Sequence, residues 1–220
     1  MNLLAIETST EACSVAIWVS GEVFARHEIA PRRHAESVLP WAEALLTEAG
    51  IARSQLDAVA VGRGPGAFTG VRLGVALAQG MALALDLPVV PVSTLAALAL
   101  SAGLPEPGGP SRQVLAVIDA RMHEVYAGRF EISQDVSGAV SARALDAETV
   151  VAPQALALPD TGLWHAVGTG LGAESGLLAA RLQAEPGLRL AACLPEALPH
   201  AADVARLAAA AFARGEAGGP

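Results

Sequence analysis

Two segments of the sequence combine an apolar strand with a carboxylate and a polar turn, an arrangement that can hold a phosphate or a metal ion. Residues 3–6 lead into the turn 7–10, with the sequence ETST, and residues 114–118 lead into the turn 119–121, with the sequence DAR. Backbone amides and hydroxyls in such turns can contact an anion, but the same hydroxyls also cap hairpin turns without any ligand. Both interpretations stay open for the first turn, whereas the second offers a phosphate fewer donors.

A third candidate is the turn Gly168-Thr169-Gly170, which follows a predicted strand and precedes a predicted helix. That position suits a nucleotide loop, but it is equally typical of a plain strand–helix turn. The chain contains no Lys, which excludes a phosphate-loop lysine and a Schiff-base lysine. We expect no cofactor beyond weak binding of ATP or ADP, which would lie between two lobes near Thr8, Ser9, Gly168 and Gly170.

A glycine-rich segment, residues 62–74, is the most distinctive part of the sequence. Without a Lys it is not a P-loop, so its glycines specify backbone geometry instead. Its first part is interpreted as a structural loop, formed by Gly62, Gly64, Pro65, Gly66, Phe68 and Thr69. In the helix that follows, small residues recur every four positions in two strips, which are Gly70, Gly74 and Ala78, and Ala76, Gly80 and Ala84.

The residue pattern predicts neither a catalytic residue nor a metal site. The five His, at positions 27, 34, 123, 165 and 200, contain no pair four residues apart, and Cys13 and Cys193 are too distant in sequence for a metal-binding pair. The serines at 9, 14 and 93 have no Gly-x-Ser-x-Gly context that would suggest a nucleophile. We therefore expect two reduced thiols and no metal.

The composition limits the class of protein further. The chain is 53% hydrophobic but only 4% aromatic, which predicts a core of small aliphatic side chains. Its net charge of −8 argues against a large basic surface for nucleic acid. The apolar stretch 73–85 has about 13 residues, fewer than the roughly 20 needed to cross a bilayer, and the N-terminus lacks the basic start of a signal peptide. We expect a cytoplasmic protein without a membrane segment.

The chain divides into two similar halves. Strand and turn patterns in LAIETSTEACSVAIW, near the N-terminus, return in AVIDARMHEVYAGRF after a Pro- and Gly-rich linker. We predict an N-terminal lobe at 1–104, a linker at 105–111, a C-terminal lobe at 112–214 and a flexible tail at 215–220. This duplicated plan resembles the actin/Hsp70/sugar-kinase superfamily (ASKHA), which implies an α/β fold with an RNase H-like sheet in each lobe.

Three segments carry a closer resemblance: LLAIETST, AVGRGPGAFTGVRLGVALAQGMALALDLPVVPVSTLAAL and VIDARMHEVYAG. They resemble the TsaB family, also described as YeaZ-type, and the glycine-rich stretch also resembles its paralogue TsaD. The third segment points to TsaB. TsaD carries a His-x-Glu-Gly-His motif whose two His bind the catalytic metal, and Thr94 and Leu98 stand at those positions here. The resemblance therefore implies a catalytically silent member of the superfamily.

The resemblance implies a scaffold that, with TsaD and TsaE, supports transfer of a threonylcarbamoyl group from threonylcarbamoyl-AMP. The acceptor is the anticodon-adjacent adenosine of tRNAs that read codons beginning with A. The implied partners are a TsaD-like catalytic subunit, in a heterodimer, and a TsaE-like ATPase, with tRNA met only through the complex. A homodimer of the isolated protein remains open. The alternatives are a small-molecule kinase or ATPase, a glycoprotease-type peptidase and a purely homodimeric binding protein.

We predict that the partner surface is formed by two helices of the first lobe, at 34–49 and 69–85. An apolar stripe at 35, 38, 39, 42, 45, 46 and 49 would face the core of the lobe. Trp41 falls outside this stripe and would anchor the partner. The predicted interface residues are His34, Ser37, Trp41, Ala44 and Glu48 on the first helix, and Gly70, Gly74 and Ala78 on the second. Two such helix pairs would form a four-helix bundle.

Overall fold

The computed structural model describes residues 1–29 and 33–219. The strands are β1 (Asn2–Glu7), β2 (Ala12–Val19), β3 (Glu22–Ile29), β4 (Ala58–Gly62), β5 (Val89–Val92), β6 (Arg112–Arg121), β7 (Glu124–Gln134), β8 (Val140–Ala144), β9 (Thr149–Val151), β10 (Gly162–Val167) and β11 (Leu188–Leu194). The α-helices are α1 (His34–Glu48), α2 (Phe68–Leu85), α3 (Thr94–Ala99), α4 (Ala173–Ala184) and α5 (Ala201–Ala213). Two compact units result, one formed by residues 1–97 with the chain from Pro199 onward, and the other by residues 98–198.

Each unit contains a sheet of the same topology. The first sheet has the strand order β3-β2-β1-β4-β5, in which β1 to β3 are antiparallel and β1, β4 and β5 are parallel. The second sheet repeats this plan as β8-β7-β6-β10-β11, with β9 added beside β7. This mixed order is that of an RNase H-like sheet. The predicted duplication and the actin-like fold class are therefore confirmed.

The central strand of the first unit is apolar throughout because both faces of its sheet are covered. Leu4 and Ile6 of β1 point into a core that β2, β4, α1 and α2 complete. Leu3 and Ala5 point into a second core, on the opposite face, that α5 completes. The sequence of a strand that is buried on both faces is a continuous run of apolar residues. Helix α1 packs over β2 and β3, and α2 packs over β4, β1 and β5, so the two helices lie side by side on one face.

Helix α5 corrects the predicted domain boundaries, because it belongs to the first unit and not to a C-terminal lobe at 112–214. Its buried alanines pack against β1, β2, β4 and β5, where the small side chains allow a close approach. The predicted linker 105–111 lies within the second unit, and the boundary falls at residues 97–98. Near this boundary, the guanidinium of Arg112, at the start of β6, donates to the backbone oxygens of Ala102 (2.8 Å) and Gly103 (3.1 Å). These bonds hold residues 102–103 against the second sheet.

The predicted flexible tail is also corrected. Gly218 pairs with Val89 of β5 through two backbone hydrogen bonds, at 3.1 and 2.9 Å, so the segment extends the edge of the first sheet. Arg214 and Glu216 pair with each other before that bridge. Pro220, the last residue of the predicted tail, lies outside the described residues.

The start of α5 is fixed by a half-buried His. The Nδ1 atom of His200 accepts a hydrogen bond from the Ala202 N–H at 3.2 Å, and the Ser14 hydroxyl oxygen accepts one from the Ala201 N–H at 3.0 Å. The His27 ring stacks on the His200 ring with centroids 4.4 Å apart. Burial, then the charges of His27 and Arg206, lower the pKa of His200 to about 4. The cap therefore requires neutral His200.

We expect the free energy of unfolding to fall as the pH is lowered from about 6.5 to about 4. Across this window the unfolded chain binds a proton at His200 and the folded chain does not. The contribution of neutral His200 to the free energy of unfolding is therefore fully present above pH 6.5 and is lost as the pH falls below it. After a discount for the partial exposure of the ring to solvent, the expected loss is about 1 to 2 kcal/mol. His200→Asn keeps a capping oxygen without a titrating ring. Urea unfolding at several pH values should show a smaller loss in that variant, and an equal loss in both proteins would contradict the assignment.

Candidate functional site

The Glu7 turn is a buried polar network. The Glu7 carboxylate accepts hydrogen bonds from the Ser9 N–H (2.7 Å), the Ser9 hydroxyl and the Thr94 hydroxyl (3.0 Å). Burial raises the pKa of Glu7, and these hydrogen bonds act in the opposite direction. The Thr94 hydroxyl oxygen also accepts from the Gly64 N–H at 3.2 Å. The network therefore joins the end of β1 to the glycine-rich loop and to the start of α3.

Four glycines at intervals of four residues pack on this turn. At each of them an added Cβ would lie less than 3.0 Å from an atom of Glu7, Thr8 or Ser9, closer than real Cβ contacts allow. These glycines are Gly62, Gly66, Gly70 and Gly74. The Ala67 N–H and the Thr8 hydroxyl add hydrogen bonds to the Ser9 oxygen (2.7 Å) and to the Gly70 oxygen (2.8 Å). The glycine-rich motif therefore provides a closely packed surface for the turn, which agrees with its interpretation as a structural loop.

The side chains of Thr8 and Ser9, which are predicted to contact a nucleotide, make internal contacts in this structure, and nucleotide binding by this turn stays a prediction. Both side chains are buried, and their hydroxyls donate to Gly70 and to Glu7 within the unit. The space beside the turn is filled by the backbone of the glycine-rich segment. Of the two interpretations of this turn, the hydrogen bonds within the unit support hydroxyls that cap the turn.

Gly168 and Gly170 are also packing residues. Both are buried, and an added Cβ at either would lie less than 3.0 Å from an atom of Val117 in β6. The Thr169 hydroxyl oxygen accepts from the Asp119 N–H at 3.2 Å, and the Asp119 carboxylate accepts from the Arg121 N–H at 2.8 Å. The glycines thus let the turn after β10 press against the central strand, and their contact with a nucleotide stays a prediction.

The positions that correspond to the metal ligands of TsaD are used for other contacts. Thr94 is bonded to Glu7 and Gly64, and Leu98 is buried. Across residues 1–29 and 33–219, no group of three His, Cys, Asp or Glu side chains is arranged to hold a metal ion.

Helix α2 presents a different strip of small residues to solvent from the one predicted. Gly74, Ala78 and Ala82 are buried, and Gly70 packs on the Thr8 carbonyl group, so the strip Gly70, Gly74, Ala78 faces the helix's own sheet. The opposite strip of Ala76, Gly80 and Ala84 is exposed. A Cβ on Gly80 would meet no described atom within 4 Å. The predicted contact strip is therefore wrong in its choice of face.

The exposed side of α2 is largely apolar, although Thr69, Arg72 and Gln79 are also exposed on this helix. Phe68 is 68% exposed and Leu83 is 73% exposed, and the Arg72 guanidinium lies 3.7 Å from the centre of the Phe68 ring. The 18 residues have a mean hydropathy of 1.4, and only 17% of them are buried. Among the described helices, α2 is the one that is long and apolar enough to cross a membrane, by length and composition only. The predicted apolar stretch 73–85 is therefore shorter than the apolar helix in the structure.

Helix α1 is rotated from its predicted orientation. Val38, Ala42, Leu45 and Leu46 are buried as predicted, but Ala35 and Leu39 of the predicted stripe are exposed. Trp41 is half-buried and packs against the core, so its placement outside the core face is wrong. The side chain of Ser37 is also buried, and its hydroxyl donates to the Arg33 oxygen at 3.1 Å. Of the other predicted interface residues, His34 and Ala44 are half-buried and Glu48 is exposed.

We call the apolar outer surface of the two helices the docking face. Its members are exposed and lie on the side of α1 and α2 away from the sheet: Leu39, Phe68, Ala76, Gly80 and Leu83. Large apolar side chains that are exposed on neighbouring helices are a feature of protein contact sites when they are grouped. Small residues at i and i+4 allow a second helix to approach the backbone closely. In the sequence this signal lies in the second small-residue strip, Ala76, Gly80 and Ala84, whereas the prediction assigns the contact to the first strip.

Comparison with known proteins gives one consistent family. A family model described as "TsaD: tRNA N6-adenosine threonylcarbamoyltransferase" matches residues 25–216. The "tRNA threonylcarbamoyladenosine biosynthesis protein TsaB" of Escherichia coli K12 is 41% identical over 225 residues, which covers 98% of this chain and 89% of that protein. Its namesake in Haemophilus influenzae is 42% identical over 179 residues, which covers 80% of this chain and 75% of that protein.

Among solved structures, "YeaZ from Pseudomonas aeruginosa" matches with a TM-score of 0.84 and 44% identity. The match covers 99% of this chain and 95% of that chain. The resemblance to TsaB that the sequence motifs suggested is therefore confirmed over almost the whole length. The chain belongs to the TsaB family, the YeaZ-type relatives of the TsaD transferases.

Proposed function

We propose that this protein is a non-catalytic subunit in the synthesis of threonylcarbamoyladenosine in tRNA, and that it binds a TsaD-like catalytic relative through the docking face. The observation that carries the proposal is the exposed apolar side of α2, with Gly80 at its centre. The relatives named as tRNA threonylcarbamoyladenosine biosynthesis proteins supply the reaction.

The partner would be a protein that presents a similar pair of helices. The family model for the transferase matches residues 25–216, a range that includes α1 and α2, so a TsaD-like relative shares this part of the fold. Two related helix pairs can join about a pseudo-two-fold axis into a four-helix bundle. Because a second copy of this chain has the same helices, the isolated protein would form a homodimer through the same face.

The absence of catalysis is supported by how the candidate groups are used. Glu7, Thr8, Ser9 and Thr94 bond to one another and to the glycine-rich segment, and none of these side chains is exposed. A general acid or base must reach the proton that it transfers. In this proposal the TsaD-like relative performs the transfer to adenosine, and this chain holds that relative in its complex.

The remaining partners follow from the family resemblance. A TsaE-like ATPase would join the pair, and tRNA would contact the complex rather than this chain, whose net charge is −8. Any ATP or ADP bound by this chain would bind weakly, since its glycine turns are filled by its own backbone. In this proposal the protein acts in the cytoplasm, together with the tRNA substrate of the reaction.

The isolated protein should show no turnover of ATP and no peptide cleavage, with or without added divalent metal. A malachite-green assay for phosphate and a fluorescent casein assay would measure these activities. ATP turnover that disappears in Glu7→Ala or Asp119→Ala would favour a kinase or ATPase of the actin-like superfamily instead.

Binding to the TsaD-like relative is measured separately by calorimetry and by light scattering. We expect a one-to-one complex that forms in preference to the homodimer. A protein that self-associates but does not bind the relative would instead be a homodimeric binding protein.

A further inference from the structure

The second unit contains a cavity of about 200 Å³ that none of the described functions uses. Its floor is formed by Leu115 of β6 and Ala127 of β7, and Val151 of β9 forms one wall. Residues 145–157, which we call the strap, pass over it and contribute Ala155 and Leu156. The lining is mostly apolar, and its polar members are Arg129, Asp146 and Thr149.

Small side chains create this space. Alanines line the cavity on the floor and in the strap, at positions 127, 147, 155 and 157, where larger residues would fill it. Leu115, Ala127 and Leu156 also belong to the buried core of the unit, so the inner side of the cavity is part of that packed apolar core. Well-packed interiors leave few voids larger than a water molecule.

The strap is held in place at both ends, so the cavity is a fixed feature of the fold. The Arg181 guanidinium of α4 donates to the backbone oxygens of Pro153 and Leu156, the second at 3.1 Å. At the other end Arg129 of β7 pairs with Asp146. Leu145 adds a backbone hydrogen bond to the Arg129 oxygen at 2.8 Å. These contacts keep the strap over the sheet without filling the space beneath it.

We propose that this cavity is a binding site for a small uncharged apolar molecule, aromatic or branched aliphatic, of about six to nine non-hydrogen atoms. The pocket is open to solvent on one side, and its volume is of the same order as that of an apolar cavity of about 150 Å³ that binds benzene. The charges at the rim, Arg129 and Asp146, already neutralise each other. A charged ligand would lose its hydration without gaining a free counter-charge.

Toluene and benzoate test the proposal, because they share a ring and differ in charge. We expect toluene to shift the methyl NMR signals of Leu115, Val151 and Leu156 in the intact protein, with saturation in the millimolar range. Benzoate should bind at least about tenfold more weakly. An absence of saturable shifts with toluene would overturn the site, and tighter binding of benzoate would overturn its chemical class.

A variant that fills the cavity provides the matched control. Ala127→Leu places three more carbon atoms in the space, and Ala155→Phe fills it from the exposed strap if the first variant does not fold. Both should abolish the toluene shifts. Ala184→Leu, at an exposed position at the end of α4, should leave them unchanged. Equal toluene binding in the filled and control variants would show that the ligand binds elsewhere, which also contradicts the proposal.

Discussion

Replacing Gly80 by Leu should weaken binding of the TsaD-like relative at least about 100-fold, which corresponds to about 2.7 kcal/mol. Gly80 lies in the middle of the exposed strip of α2, where a helix can approach the backbone only if the side chain is small. A Leu there would hold the partner helix away over the whole contact. Calorimetry with the purified relative measures the loss directly.

The substitution should not damage this protein itself. An added side chain at Gly80 meets no described atom within 4 Å, and Leu favours a helix by nearly 1 kcal/mol over Gly. The melting temperature of Gly80→Leu should therefore be equal or higher. Ala213→Leu, an exposed position on the opposite side of the sheet, serves as the control that binds normally. Unchanged affinity in Gly80→Leu would place the interface elsewhere.

Replacing Gly70 by Ala should lower the free energy of unfolding by about 2 to 3 kcal/mol, although Ala normally stabilises a helix relative to Gly. The new Cβ would overlap the Thr8 carbonyl oxygen, which is part of a buried backbone turn and cannot rotate away. The hydrogen bond from the Thr8 hydroxyl to the Gly70 oxygen would be disturbed as well. Urea unfolding followed by circular dichroism measures the change.

Gly80→Ala in the same helix is the matched comparison. It should raise the free energy of unfolding by about 0.5 to 1 kcal/mol, the ordinary gain for this exchange. Opposite signs at the two positions would support the assignment of one face of α2 to the Glu7 turn and the other to solvent. Stabilisation of similar size at both positions would mean that α2 does not rest on that turn.

Much of the fold was predictable because the relevant signals are local. The apolar runs of β1 and β6, the carboxylates that end them and the repeat of this pattern predicted two lobes with related sheets. Helix α5 was assigned to the wrong unit because the chain crosses back to the first sheet after residue 198. Proximity in sequence favours the neighbouring lobe, and only packing of the α5 alanines on β1 and β2 overrides it.

The site was harder to predict because helix periodicity does not say which of two similar faces is buried. Both strips of α2 are small and apolar, and the choice is made by Thr8, about sixty residues earlier in the chain, through its bonds to Gly70. The same uncertainty affected α1. There Trp41 packs against the core and Leu39 is exposed, which is the reverse of the predicted orientation. The spacing of four residues between the glycines is visible in the sequence, but the turn on which they pack is not.

The central claim is that this protein supports threonylcarbamoyl transfer by binding a catalytic relative. Reconstitution with the TsaD-like and TsaE-like relatives, threonylcarbamoyl-AMP and unmodified tRNA, with the modified nucleoside measured by mass spectrometry, tests it most directly. We predict product only when this chain is present, full rescue by Ala213→Leu and no rescue by Gly80→Leu. Product formed at the same rate without this chain would contradict the account.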